Sequence, residues 1–233
     1  MPEFSPFTAA DVDGFLHRPN SPCGCALALT HGAGSNCRTA LLTAVADAFA
    51  SAGFVVLRFD LAFRRDRTGG PLGAAQQARD RESVRSAAAA LRQMAPGKLL
   101  LGGHSYGGRQ STMLASDDPA VADGLMLLSY PLHPPKRSDQ LRTAHFPSLL
   151  APALFVHGSR DGMGSVEEMR AALPLIPAAT RLEIVAGAGH DLSALVKKSA
   201  GSLPQFIEYI GQLVPGMEHH QAGARVSGDK PAR

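Results

Sequence analysis

"LLLGGHSYGG", residues 99–108, runs three leucines into a serine framed by glycines. The leucines show no polar alternation, which is the pattern of a strand covered on both faces. The residues that follow, Gly103-His104-Ser105-Tyr106-Gly107, fit G-x-S-x-G. In a chain with 24 glycines such a match can arise by chance, so its setting decides its meaning. A strand precedes it and residues 107–116 have helical character, which places Ser105 on a tight strand-to-helix turn. Side chains two residues to either side would collide there, which accounts for Gly103 and Gly107. The helix beyond aims the positive end of its dipole at the turn and favours negative charge. Two readings of Ser105 stay open at this point: a nucleophile, or a hydroxyl that caps the helix.

Outward from this turn, short apolar runs recur at CALALT (25–30), FVVLRFD (54–60), KLLLGG (98–103), GLMLLS (124–129), ALFVHG (153–158) and RLEIVA (181–186). Helix-like stretches lie between them. Residues 39–53 end in a glycine suited to a helix terminus, and residues 80–94 carry acids in a first turn, an alanine-rich middle and a Pro-Gly stop. Further helices are expected at 107–116, 165–173 and 202–213. Buried strands alternating with helices predict a parallel sheet covered on each side. Functional groups in such a sheet gather beyond the carboxyl ends of its strands, so the loops after 30, 60, 103, 129, 158 and 186 are the ones to inspect.

Residues 130–152 contain five prolines and form a connection with room for at most a short helix. Residues 215–233 lack apolar periodicity and read as a disordered tail, which leaves 1–214 as one domain. Of the 233 residues, 45% are hydrophobic and 18% charged, an ordinary globular composition. The formal charge is +3, of which Arg225, Lys230 and Arg233 against Glu218 and Asp229 supply +1 from the tail. That balance makes no case for a nucleic acid or membrane partner. Cys23, Cys25 and Cys37 lack zinc or redox-pair spacing and read as free thiols, and no metal is expected. The N-terminus has neither a basic n-region nor an apolar h-region, and a cytoplasmic monomer or homodimer is the expectation.

A serine hydroxyl needs a base to become a nucleophile near neutral pH, and the base needs an acid to fix its tautomer. After strand 153–158 comes Ser159-Arg160-Asp161-Gly162, and after strand 181–186 comes Gly187-Ala188-Gly189-His190-Asp191. Alone, Asp161 reads as a turn residue and His190 as a solvated loop histidine. Together they fall 161 − 105 = 56 and 190 − 161 = 29 residues apart, in the order Ser, Asp, His, on one edge of the sheet. Asp191 is the poorer acid, since it would have to turn back on its neighbour's ring. His104 and His157 read as structural.

An oxyanion needs backbone N–H donors. Tyr106 supplies one, directly after the serine. The loop Thr30-His31-Gly32-Ala33-Gly34 supplies the other, from Ala33 or alternatively Gly34, with His31 as its anchor. Arg64, Arg65 and Arg67 after strand 54–60, Arg109 after the serine turn, and Lys136 and Arg137 in the Pro-rich connection form either a solvated basic rim or a mouth suited to anions. Gly34, Arg64, Arg109 and Leu132 are the candidate substrate contacts.

Gly32-Ala33-Gly34-Ser35-Asn36-Cys37 with Asp60, 60 − 37 = 23 residues on, also suggests a dinucleotide fingerprint. Cys37 replaces its third glycine, and that reading leaves Ser105, Asp161 and His190 unexplained.

THGAG, RFD, GGHSYGGR, SYPLHPP, LFVHGSRDGMGS and GAGHDL together resemble the α/β-hydrolases, over residues 12–213. Within them the chain resembles a compact bacterial subfamily near the dienelactone-hydrolase-like proteins, whose eukaryotic relatives include a testis-expressed protein and a histone-acetyltransferase-complex subunit. The resemblance implies a single-domain α/β fold with an eight-stranded, mostly parallel sheet, its extra strands drawn from residues before 25, with no sizeable cap domain and an open site. Ser105, Asp161 and His190 match the family's triad positions. The dienelactone hydrolases proper carry a cysteine where Ser105 stands, so their lactone substrate does not transfer. What is implied is a cofactor-free serine hydrolase acting on a small ester or thioester, anionic where the basic residues line the mouth. The alternative is a catalytically silent scaffold used for protein interaction, as the eukaryotic relatives' membership of a large complex suggests.

Overall fold

The apolar runs become strands because each presents alternate residues to two separate cores. In a computed structural model that describes residues 3–9, 11–66, 72–198 and 202–217, every predicted strand forms within one residue of its expected bounds. The strands are β1 (Glu3–Ala9), β2 (Val12–Arg18), β3 (Ala26–Thr30), β4 (Val55–Asp60), β5 (Leu99–His104), β6 (Gly124–Leu128), β7 (Ala153–Gly158) and β8 (Thr180–Val185). They form one sheet in the order β1-β2-β4-β3-β5-β6-β7-β8. β1 and β2 pair antiparallel at one edge, as do β2 and β4, and the remaining pairs are parallel.

Along β5, Leu99 and Leu101 enter one core while Leu100 enters the other; Leu125 and Leu127 on β6 oppose Met126 and Leu128 in the same way. This two-sided burial is why the runs lack polar alternation. One face is covered by α3 (Ala74–Met94), α4 (Tyr106–Asp117) and α5 (Val166–Ala172), through residues such as Val84, Leu91, Leu114 and Met169. The opposite face is covered by α1 (Ala40–Ser51), α6 (Ser193–Lys198) and α7 (Ser202–Leu213), through Leu42, Phe49, Leu195 and Ile210. A short α2 (Ala62–Arg65) follows β4.

Two expectations need correction. α3 begins six residues early, at Ala74, so Asp80 is not in a first turn but on the helix's buried side. There its carboxylate accepts hydrogen bonds from the Phe63 amide, Gln76 and the Tyr106 hydroxyl, which is how a buried charge is satisfied. The chain also stays packed past 214: Met217 is buried in the α7-side core. The rest of the expected tail, 218–233, lies outside the described residues. Between β6 and β7 the only helical piece is a 3₁₀ turn at Phe146–Ser148, so no cap domain covers the strand ends. Among the described residues, no helix is long and apolar enough to cross a membrane.

β3 sits between β4 and β5, so the chain leaves β3 toward β4 on one side while β5 lies on the other. The loops after β3 and β5 therefore diverge and leave a crevice at the sheet's carboxyl edge, the place where such sheets hold ligands.

Candidate active site

Ser105 occupies the apex of the turn from β5 to α4 with φ 51° and ψ −114°, a backbone conformation a non-glycine residue adopts only under strain. Its amide donates to Leu128 O at 2.8 Å and its carbonyl accepts from the Arg109 amide at 3.0 Å, which fixes both sides of the turn. The hydroxyl makes no capping bond to α4, so the helix-cap reading fails. A Cβ at Gly103 would lie 2.7 Å from Gly108 N, and one at Gly107 would lie 2.6 Å from His31 O. Both glycines are thus required by close backbone approach, as the sequence indicated.

The Ser105 hydroxyl meets His190, with Oγ and Nε2 2.7 Å apart. His190 lies on the loop after β8, and its Nδ1 is 2.8 Å and 3.0 Å from Asp161 Oδ2 and Oδ1. A carboxylate only accepts, so Nδ1 carries the proton and Nε2 is left to accept from the serine. The Asp161 side chain is fully buried. Burial works to raise its carboxyl, but hydrogen bonds from His190 and the Met163 amide, with the His190 and His157 rings beside it, hold it below the usual carboxylate range.

The surroundings of this row were not legible in the sequence. The loops carrying Asp161 and His190 press together where Gly158 leaves no room for a Cβ, which would lie 2.5 Å from Gly189 O. His104 donates from Nε2 to the carbonyl of His190 at 2.8 Å and so holds that loop against the elbow. Burial pushes the His104 ring below its usual pKa and keeps it neutral. His157 donates from Nε2 to Gly164 O, leaving a buried Nδ1 without a hydrogen bond, 3.9 Å from Asp161 Oδ2. Asp191 accepts the Ser193 amide at the start of α6 rather than approaching His190 Nδ1. Leu132, expected as a substrate contact, has no exposed surface. It packs in the core beneath Gly164, where a Cβ would come within 2.9 Å of it, and supports the Asp161 turn.

The loop after β3 places Gly32 against Ser105, with a hypothetical Gly32 Cβ 3.4 Å from Ser105 Cβ, and leaves Ala33 and Gly34 exposed. Residues at and beyond the end of β4 brace this loop. Asp60 accepts the Cys37 amide at 2.6 Å, Arg58 donates to the Cys37 carbonyl, and Arg64 donates to Ala33 O at 3.1 Å. His31 accepts the Leu61 amide at Nε2 and donates from Nδ1 to Gly32 O. Nε2 also lies 3.3 Å from Asp60, but burial lowers the His31 pKa, and the ring is neutral rather than half of an ion pair. Asp60 is thus tied to the loop and not offered to a ribose. The Tyr106 amide is the first of α4, a position with no intrahelical acceptor.

Of the basic residues, Arg65 is engaged by Asp11 and Asp66. Arg109 donates to Gln77 at 3.2 Å, on α3, and has a buried Nε without a partner. Arg137 lies 3.8 Å from Asp139, and Arg67 falls outside the described residues. Cys23, Cys25 and Cys37 are thiols. Burial, with Asp60 beside it, pushes the Cys37 thiol up to about 12. Among the described residues, no group of three or more His, Cys, Asp or Glu side chains is placed to hold a metal ion.

A dienelactone hydrolase from Anabaena variabilis superposes with a TM-score of 0.67 at 21% identity, covering 91% of this chain and 96% of its own. An alpha-beta serine hydrolase homologue from Coxiella burnetii gives 0.68 at 18% identity, with 88% and 97% covered. A serine hydrolase without a lid from Xanthomonas campestris gives 0.68 at 18% identity, with 92% and 97% covered. At these identities the likeness is one of fold. The family model described as an alpha/beta hydrolase domain matches residues 24–214, the six parallel strands β3 to β8 and all the helices, without β1 and β2. The chain therefore belongs to the alpha/beta hydrolase domain family, and hydrolysis is the activity that its family and fold support.

Proposed function

We propose that the protein is a serine hydrolase that cleaves a small carboxylic ester or thioester through an acyl-enzyme on Ser105. The observation that carries this reading is the row Ser105 Oγ–His190 Nε2–Asp161, 2.7 Å and 2.8 Å in its two steps, with the serine held at positive φ. His190 Nε2 takes the Ser105 proton as Oγ attacks the carbonyl carbon. The oxyanion forms between the amides of Tyr106 and Ala33, with the Gly34 amide next in line. His190 then protonates the leaving alcohol or thiol, and Asp161 stabilises the imidazolium in between. Water, deprotonated by His190, attacks the acyl-enzyme, the bond to Ser105 Oγ breaks, and His190 returns the proton to Oγ as the acid leaves. Neither half of the cycle draws on a cofactor.

Bracing of the loop from β4 supports the oxyanion assignment, because donors held before the reaction need no reorganisation during it. The test is turnover of p-nitrophenyl esters and of acyl thioesters by the wild type and Ser105→Ala. Turnover of either class, abolished by the substitution, upholds the reading; equal rates in the two proteins overturn it and leave a protein-interaction scaffold as the better account. Arg64 and Arg109 carry the proposal of an anionic substrate, since neither has a carboxylate partner among the described residues. Arg64→Ala and Arg109→Ala are expected to raise KM for acidic esters more than for neutral ones. Equal effects on the two would sink that part.

A further inference from the structure

A pocket of about 390 Å³ lies against His104, whose ring centroid is 5.3 Å from that of His190, and no step of the proposed chemistry uses it. Its lining adjoins the proposed site along the chain. His104 directly precedes Ser105, Asp191 directly follows His190, and Ser35 directly follows Gly34. One side is the start of α1, with Ala40 and Leu41; the opposite side is α6, with Val196. Val196 is among the large hydrophobic side chains that the fold leaves exposed, at 37%, and it faces this space.

The lining defines what fits. Ala40, Leu41 and Val196 supply apolar surface, and the His104 ring is neutral because burial disfavours its charged form. No lining residue is cationic. The one charged group, Asp191, has an oxygen on the Ser193 amide and would repel a second anion. Such a pocket takes an uncharged apolar group, and its His104 wall, hydrogen-bonded to the His190 carbonyl at 2.8 Å, sets that group against the loop of the proposed base. At about 30 Å³ for each carbon-sized group, the volume a water occupies in the liquid, the space holds at most about thirteen carbons, and roughly ten once its open side is left to solvent.

We infer that this pocket binds an unbranched, uncharged chain of the substrate, of medium length, and makes the protein selective for medium-chain esters. The inference rests on the serine-hydrolase reading and names its substrate class. It also divides the site: an apolar chain lies between α1 and α6, and any acidic group is left to the arginines on the α2 and α4 side. The chain can belong to the acid or to the alcohol of the ester, and the two are separated by experiment.

Two substrate series distinguish them: p-nitrophenyl esters from acetate to dodecanoate, and alkyl acetates from ethyl to dodecyl followed by acid release. In one series kcat/KM is expected to rise up to roughly fourfold per methylene, the value of burying one such group, and to level off near eight to ten carbons. Ala40→Trp and Val196→Trp fill the pocket from opposite sides without touching Ser105, His190, Asp161 or the oxyanion amides. Each is expected to move the optimum to four carbons or fewer while the acetate rate stays within about twofold. A second readout is independent of turnover: titration of 2-decanone into Ser105→Ala by calorimetry, with binding expected there and lost in Ser105→Ala/Ala40→Trp. Turnover with no chain-length preference and no ketone binding overturns the pocket and leaves the hydrolase reading intact. Ketone binding without turnover of any ester overturns the hydrolase reading and keeps the pocket. A preference that neither tryptophan shifts also overturns the assignment, because the chain would then lie elsewhere.

Discussion

Replacing Asp161 by asparagine removes one charge and almost no volume, so it isolates what the buried carboxylate does. The carboxylate accepts the Met163 amide at 2.8 Å through Oδ1 and meets His190 Nδ1 at 2.8 Å through Oδ2. An asparagine that keeps the Met163 bond must turn its NH2 group toward Nδ1. The imidazole then has to present a lone pair at Nδ1 and carry its proton at Nε2, facing Ser105. In that tautomer it donates to the serine and cannot accept its proton. The expected loss in kcat is about ten-thousandfold for this wrong-tautomer effect, or about 5.4 kcal/mol at 1.36 kcal/mol per factor of ten. The stability cost is smaller, about 1 kcal/mol for exchanging charge-assisted for neutral hydrogen bonds, or about 2–4 °C in Tm for a chain of this size. That cost has a defined pH dependence. The folded carboxyl lies below its ordinary value, so its contribution is complete above the unfolded value and is lost as pH falls through the folded one. The Tm gap between wild type and Asp161→Asn is therefore constant from neutrality to about pH 5 and closes below the ordinary value of about 3.9. Ester turnover at pH 7.5 and thermal unfolding followed by circular dichroism from pH 7 to pH 3 test both parts. A kcat loss under tenfold, or a Tm gap that widens on acidification, would refute the reasoning.

Other substitutions probe other parts of the site. Tyr106→Phe keeps the backbone amide but takes the hydroxyl from buried Asp80, so turnover should stay within about threefold while stability falls by roughly 1–3 kcal/mol; a large loss of kcat at unchanged stability would assign the phenol a chemical role. Gly107→Ala places a Cβ 2.6 Å from His31 O and is expected to lower stability by roughly 1–3 kcal/mol through overpacking, measured by urea unfolding; no change would show that the turn is looser than described. Asp60→Ala frees the Cys37 amide and loosens the oxyanion loop, with an expected loss of roughly tenfold in kcat, a fraction of the 100- to 1000-fold that follows removal of a whole donor. An unchanged kcat would show that the loop holds its place without that brace.

The parts of this fold that were legible are those set by local pattern. Leu99–Leu101 had to be a strand covered twice because nothing in it is polar, and the glycines around Ser105 announced a turn with no room for side chains. Asp161 and His190 were legible because strand order fixes which loops share an edge. The start of α3 was not legible: Ala74–Arg79 is mostly exposed, and its N-cap, Gly73, has no side chain to mark the boundary. The brace of the loop after β3 was hidden for a different reason. Arg58 reaches Cys37 from 21 residues away and Arg64 reaches Ala33 from 31 residues away, and no spacing rule links them. Leu132 misled because a Pro-rich connection reads as surface, whereas this one folds inward beneath Gly164. The site's histidines divide into one beside the serine and others bonded to loop carbonyls, and those carbonyl partners appear only in three dimensions.

The central claim, that Ser105 is an activated nucleophile, is tested most directly by reaction with a fluorophosphonate, read by intact mass and peptide mapping. The expected result is one adduct on Ser105 in the wild type, none in Ser105→Ala, and labelling in His190→Ala that is slowed by orders of magnitude. No adduct on folded wild-type protein, or an adduct that forms as fast without His190, would contradict it.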